Sequence, residues 1–269
     1  MTDKDFIPKI DLSSLIINGV TSPQSFDTIK EIKKACEDVG FFTVINHGIP
    51  NTSIEKIHSN CKKFFSLPLK KKLTFSPNKW NKKSDTLYRG YFPRTVNGKE
   101  GLDIGDPLLT TSMKELTQKE KFEVNHDMSL IDGEWQLNVN DYYDKVFSLG
   151  IILFRALICC ISDNIELADI AFQRPKTFST LRFNYYPKQD KPVEISSQDG
   201  VALGCETHVD SGIMTILYQD KKGGGCRFRT AITYNGMMSP TILAHLLLTV
   251  DWLFNFLLMT ILRRPITEF

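Results

Sequence analysis

The most informative run in this chain reads Thr207-His208-Val209-Asp210-Ser211-Gly212-Ile213-Met214-Thr215-Ile216-Leu217. The apolar residues after Gly212 are typical of a β-strand, in which residues i and i+2 point to the same face. His208 and Asp210 are therefore expected to project together from the entrance of one strand. An imidazole and a carboxylate are two of the three ligands of the facial triad that holds non-haem Fe(II). Most His-x-Asp pairs are solvated or have a structural role. The neighbouring motifs therefore decide whether this pair is expected to bind a metal.

Composition indicates a folded protein and narrows its partners. The chain has 269 residues, 42% of them hydrophobic and 24% charged, which suits one large domain or two. A formal net charge of +2 does not indicate nucleic acid or an acidic surface as a partner. The short run Lys70–Lys72, with Lys82 and Lys83 nearby, is interpreted as a solvated face. Six cysteines without CxxC spacing and a polar N-terminus predict a reduced, cytoplasmic protein with no signal peptide.

The periodicity changes along the chain. Residues 25–39 have helical spacing and stop at Gly40, and a β-branched and aromatic strand follows over 41–46. Another helix is predicted up to Phe65, and a long one lies within 133–165. From Thr177 onward the pattern becomes that of strands. These features predict an α-rich first part and a β-rich second part, with the boundary near Arg174-Pro175.

Several further motifs accompany the His208–Asp210 pair. Upstream lies Asn184-Tyr185-Tyr186-Pro187, and the first half of the chain holds Ile7-Pro8-Lys9-Ile10-Asp11-Leu12, Ala35-Cys36-Glu37-Asp38-Val39-Gly40-Phe41-Phe42, Ile45-Asn46-His47-Gly48-Ile49-Pro50, Phe64-Phe65-Ser66-Leu67-Pro68 and Arg89-Gly90-Tyr91. With this set, residues 7–225 resemble the Fe(II)- and 2-oxoglutarate-dependent dioxygenases of the isopenicillin N synthase-like type.

The resemblance implies an α+β fold. Its core would be a double-stranded β-helix (jelly roll) preceded by an α-rich N-terminal domain. The expected domains are residues 7–125 for the N-terminal domain and 176–225 for the start of the jelly roll. His208 and Asp210 would be iron ligands, and Asn184 and Tyr186 would contact 2-oxoglutarate. No separate catalytic side chain is assigned.

The same resemblance implies an oxidoreductase. Fe(II) would be the metal, 2-oxoglutarate the cosubstrate and O₂ the oxidant, and the expected reaction is oxidation of a small organic molecule by hydroxylation. The protein is expected to be a monomer that has neither nucleic acid nor a membrane as its partner. Some relatives dispense with 2-oxoglutarate, and the substrate is not readable from these residues.

The resemblance stops after Gly225. The family continues toward a third ligand, a His, and then an Arg-x-Ser pair that grips the cosubstrate. This chain has neither, so the barrel is expected to be incomplete at the C-terminus. The alternative prediction is therefore a catalytically inactive, truncated relative, with this exact chain poorly stable.

The genetic code offers a test of the last residues. A frame shifted by one base combines the last base of one codon with the first two bases of the next. With a free choice only at degenerate bases, this frame can encode Gly-Gly-Leu-Gln-Val from Gly223 to Phe228. It can also encode a run that ends in Thr-His-Tyr-Arg-Val at Phe269. The His of that run falls at Pro265-Ile266, 265 − 208 = 57 positions after His208, close to the family's usual interval. Residues 226–269 are therefore interpreted as an out-of-frame tail. The competing interpretation is a membrane anchor over 241–262, against which stand His245, Asp251 and Asn255.

Overall fold

The computed structural model describes residues 7–93, 98–109, 117, 120–175, 177–187, 192–195, 200, 202–205, 210, 212–219, 227–228, 237–238 and 246–250. The helices are α1 Ser13–Asn18, α2 Phe26–Asp38, α3 Asn51–Phe65, α4 Leu69–Leu73, α5 Glu120–Glu123, α6 Gly133–Cys159 and α7 Glu166–Ala171. The strands are β1 Lys9–Asp11, β2 Phe41–Ile45, β3 Gly90–Phe92, β4 Glu100–Ile104, β5 Leu181–Tyr185, β6 Glu194–Ile195, β7 Ala202–Leu203, β8 Met214–Leu217, β9 Arg227–Phe228, β10 Met237–Met238 and β11 Leu246–Val250. Short 3₁₀ turns occupy Pro23–Ser25 and Met128–Leu130.

The chain folds into two compact units that interleave along the sequence. The first unit contains residues 1–48, 148–170 and 208–269, and the second contains 49–147 and 171–207. Each unit thus combines segments from before and after the boundary expected near Arg174-Pro175. The reason is strand pairing, because β2 shares a sheet with β8, and β4 pairs with β5.

A four-stranded sheet with the order β1-β2-β11-β8 is the centre of the first unit. β1 runs parallel to β2, whereas β11 is antiparallel to both of its neighbours. The buried Phe42 and Val44 on β2 and the apolar face of α2 belong to the core of this unit. α2 ends before Gly40, whose φ of +79° suits glycine at a helix end. The helix and strand predicted over 25–46 are therefore confirmed.

The second unit is built on the antiparallel sheet β3-β4-β5. Aromatic rings from helices and strands fill its core, and they belong to Phe64, Phe75, Tyr91, Trp135 and Phe183. Trp135 donates its indole N–H to the carbonyl of Asn60 at 2.9 Å, and the Asn60 amide donates to the carbonyl of Trp135 at 2.8 Å. This reciprocal pair joins α3 to the start of α6.

The long predicted helix and the two strands that carry the candidate site also form. α6 runs from Gly133 to Cys159, β5 from Leu181 to Tyr185 and β8 from Met214 to Leu217. Among the described residues, no helix combines the length and the apolar character needed to cross a membrane. The segment 241–262, considered above as an anchor, lies outside the described residues except for Leu246–Val250, which is a strand.

Candidate functional site

β5 carries the two residues expected to contact the cosubstrate. Phe183 is buried with its ring against Trp135, and Asn184, the next residue, is exposed on the other face. Tyr186 follows the end of the strand, two positions on from Asn184, so both belong to the same face of the extended chain. Asn184 is paired with Gly101 of β4, and Phe183 with Leu102. The sheet of the second unit therefore positions the Asn–x–Tyr motif.

Tyr186 contacts a cation and lies beside a glycine. The Lys99 ammonium lies 5.7 Å from the centroid of the Tyr186 ring, which is within the range of a cation–π contact. On Gly204 a Cβ atom would lie 3.8 Å from Cδ1 of Tyr186, an ordinary van der Waals distance, so the ring lies beside that residue. Almost half of Tyr186 (48%) is exposed. The ring is thus anchored while part of it stays accessible.

A buried ion pair supports β4 beside the motif. Lys72 is 5% exposed and contacts the carboxylate of Glu100, which also accepts a hydrogen bond of 2.6 Å from the Tyr91 hydroxyl. Burial raises the pKa of Tyr91, and the neighbouring carboxylate acts in the same direction, so the phenol remains a donor. Glu100 is the register partner of Tyr185, whose ring stacks on Phe65 at 5.3 Å.

Arg89 organises the segment that leads into β5. Its guanidinium is buried and bonds Glu123 at 2.8 Å, the carbonyls of Phe178 and Ser179 at 3.3 and 3.4 Å, and the hydroxyl of Thr180. A charge-assisted network of this kind holds a loop in one conformation. The sequence placed Arg89 in a family motif but did not reveal this role, because its partners lie up to 91 positions away.

The carboxylate of Asp210 lies just before β8 in the first unit. It is exposed and accepts a hydrogen bond of 2.7 Å from the Thr215 hydroxyl. β8 faces α6 in the same unit, since a Cβ on Gly150 would lie 3.7 Å from Ile216 and 3.8 Å from Met214. The hydroxyl orients the carboxylate, as outer hydrogen bonds commonly do for metal ligands.

Comparison with known protein families shows which family this chain belongs to. The family model "non-haem dioxygenase in morphine synthesis N-terminal" matches residues 7–142, just over half of the chain. The chain belongs to the non-haem dioxygenase family. The resemblance stated from the motifs is thereby confirmed.

Curated relatives agree with the assignment. The chain is 30% identical over 228 residues to jasmonate-induced oxygenase 1 of Arabidopsis thaliana, a match that covers 85% of this chain and 51% of that protein. It is 28% identical to the 2-oxoglutarate-dependent dioxygenase tropC of Talaromyces stipitatus, with 81% of this chain and 67% of that protein covered. The chain thus spans about half the length of the first of these relatives.

Solved structures show the fold. A full-length Neurospora crassa protein, solved in complex with alpha-KG and 5-formyluracil, superposes with a TM-score of 0.71 at 22% identity, covering 94% of this chain and 74% of that one. A putative 2OG-Fe(II) oxygenase of Caulobacter crescentus has a TM-score of 0.73 at 18% identity, covering 96% and 78%. The chain therefore has the α+β fold of these two proteins.

The described residues fit an iron site only in part. Asp210 supplies a carboxylate of the right chemistry, whereas its predicted partner His208 lies outside the described residues. Within the part of the dioxygenase that the structure describes, no three His, Cys, Asp or Glu side chains come together as a metal site would require. We therefore derive no reaction step at iron from the described residues.

His126 has a structural environment that its polar sequence neighbours did not reveal. Its Nε2 lies 2.8 Å from the Thr86 hydroxyl, and its ring meets Phe75 edge-on. Burial lowers the pKa of His126 to about 4. The imidazole of this residue is therefore neutral at physiological pH and packs within the second unit.

Proposed function

We propose that this protein is an Fe(II)- and 2-oxoglutarate-dependent enzyme. It would oxidise a small organic substrate, with hydroxylation as the expected outcome. The observation that carries the proposal is the family match over residues 7–142 together with the exposed Asn184 on β5 and Tyr186 just after it. Relatives named as 2-oxoglutarate-dependent support the choice of cosubstrate. The enzyme would act as a cytoplasmic monomer.

The residues of this chain would have distinct tasks. Asn184 and Tyr186 would bind the cosubstrate, with the Tyr186 ring in contact with the Lys99 ammonium. His208 and Asp210 would be two iron ligands, and the Thr215 hydroxyl would orient the Asp210 carboxylate. Bound iron supplies the redox chemistry with O₂, and the protein supplies binding and orientation.

We also propose that residues 226–269 are an out-of-frame tail, that the jelly roll begins over 176–225, and that the third ligand and the end of the barrel are missing from the printed sequence. The tail has 44 of 269 residues, about one sixth of the chain, and the match to the jasmonate-induced oxygenase leaves a similar share uncovered. The backbone of β11 nevertheless pairs with β2 and β8. Strand pairing uses main-chain groups, so a tail of altered sequence can still fill that place.

A second candidate is a catalytically inactive relative. It is favoured by the sequence after Gly225, where the family pattern that carries the third ligand, a His, does not follow. The two candidates differ in what the gene encodes. In the first candidate the gene still encodes the third iron ligand in another frame, and in the second the protein made from the gene lacks that ligand.

Two measurements test these proposals. Genomic sequencing across the codons of Gly223–Gly225 should reveal a one-base slip, and the corrected frame should encode the missing His and Arg. The corrected protein should bind iron and convert 2-oxoglutarate to succinate, while the 269-residue chain should do neither. Succinate formation by the 269-residue chain would contradict its assignment as inactive, and an intact reading frame at the glycine codons would rule out the slip.

A further inference from the structure

One segment of the second unit carries positive charge alone. Between Glu55 and Asp85 the chain contains nine of its 33 Lys and Arg residues, all of them Lys, and none of its 31 Asp and Glu residues. Because the whole chain has a net charge of +2, everything outside this segment has +2 − 9 = −7. A solvated face ordinarily mixes both signs. The segment therefore differs from an ordinary surface.

Five of these lysines lie on two segments that the structure joins. Lys70 and Lys71 lie on α4, and the loop after it carries three more. The Asn81 amide donates to the carbonyl of Thr74 at 3.3 Å, which attaches that loop to the end of α4. We call the exposed lysines of these two segments the lysine face: Lys70, Lys71, Lys79, Lys82 and Lys83.

Two other lysines of the same segment are paired with carboxylates and do not belong to the lysine face. Lys63 pairs with Asp132, and Lys72 turns inward to the buried Glu100. Among the described residues, by contrast, no carboxylate lies within 4.0 Å of an ammonium of the lysine face. The charge of this face is consequently open to a partner from outside the chain.

The composition of the lysine face indicates the kind of partner. Lysine ammoniums are point charges without the planar fork that arginine offers to nucleic acid phosphates and bases. The ring of Trp80 has the Lys79 ammonium 4.7 Å from its centroid and forms a T-shaped pair with Phe92 at 5.2 Å, so it already has partners within the chain where a nucleic acid base would stack. Leu69, 56% exposed, stands beside Lys70. We propose that the lysine face docks on an anionic lipid bilayer, with Leu69 entering the headgroup region.

The attraction should be reversible and sensitive to salt. A lysine near an anionic membrane surface strengthens binding by about fivefold. The attraction falls off over the Debye length, about 10 Å at 0.1 M salt. A surface without a lipid chain or a membrane-spanning helix gives peripheral association only.

Co-sedimentation of the 269-residue chain with vesicles tests the proposal. Phosphatidylcholine vesicles that contain phosphatidylserine should bind the chain at low salt, and pure phosphatidylcholine vesicles should not. K70E/K71E should weaken binding at least about twentyfold, and K82E/K83E should do the same from the loop. K9E/K30E changes the net charge equally at exposed lysines outside the face and should leave binding unchanged, with circular dichroism confirming that all variants fold.

Three results would overturn the proposal. They are no binding to the anionic vesicles, an equal loss in K9E/K30E, and binding to poly(U) RNA that exceeds binding to vesicles and is abolished by K70E/K71E. The last result would assign the face to nucleic acid instead. None of these measurements involves iron or 2-oxoglutarate, so the outcome is independent of the proposed function.

Discussion

Arg182 on β5 holds the carboxylate of Asp103 on β4 through two contacts of 2.6 Å, from Nε and Nη2 to the two carboxylate oxygens. The two residues are register partners in the sheet, and the Asp103 carboxylate is wholly buried while Arg182 is partly exposed. The guanidinium fork matches a carboxylate in this geometry. This ion pair joins β5, the strand on which Asn184 lies, to the neighbouring strand β4.

Removing one partner of this pair should destabilise the second unit. Arg182→Ala leaves a buried carboxylate without its cation, which we expect to lower the free energy of unfolding by about 3 kcal/mol. The double variant R182A/D103A should lose less than the sum of the single variants, because no unpaired charge remains. Urea denaturation measures both. Additive losses in the double variant would show that the two residues do not interact energetically.

His126 should make stability depend on acid pH. Its pKa in the folded chain is about 4, below the ordinary value of 6.5, so the unfolded state binds the proton first as the pH falls. Stability should therefore decline as the pH is lowered from about 6.5 to about 4, by about 3 kcal/mol in total. The check is the unfolding free energy at several pH values. His126→Gln should remove this part of the pH dependence, and an unchanged slope in that variant would contradict the assignment.

Gly90 should not tolerate a side chain. Its φ is +124°, and a Cβ there would lie 2.1 Å from the carbonyl oxygen of Phe75 and within 3 Å of the His126 ring. Gly90→Ala should cost several kcal/mol or prevent folding. Gly133 is the matched control, since a Cβ there meets nothing within 4 Å, and Gly133→Ala should change stability by less than about 1 kcal/mol. Equal thermal stability of the two variants would argue against the close approach at Gly90.

Thr215 should influence iron affinity through Asp210 in the protein with the corrected reading frame. Thr215→Val removes the hydroxyl that donates to Asp210, and we expect iron binding to weaken by about tenfold. Thr215→Ser keeps a hydroxyl and should retain most of the affinity. Equilibrium dialysis against Fe(II) under anaerobic conditions gives the comparison. Equal affinities in the Val and Ser variants would show that the hydrogen bond does not orient the ligand.

Local pattern predicted the elements well where side-chain periodicity alone defines them. α2, β2, α6, β5 and β8 were all expected from helical spacing, β-branched runs or alternation, and all form. These patterns work because helix and strand geometry repeats within a few residues. The composition of the two units was not predictable in this way, because pairing of β2 with β11 joins segments about 200 residues apart.

The candidate site shows the same division. The family, the Asn184-x-Tyr186 and His208-x-Asp210 spacings, and the lack of a third ligand in the printed frame all follow from sequence, because motifs and codons are local properties of the chain. The folded structure was needed to show that Arg182 clamps Asp103, that Arg89 holds the entry to β5 and that lysines from a helix and a loop share one face. Those contacts join residues that no local rule relates, since burial and charge pairing depend on which segments meet when the chain folds.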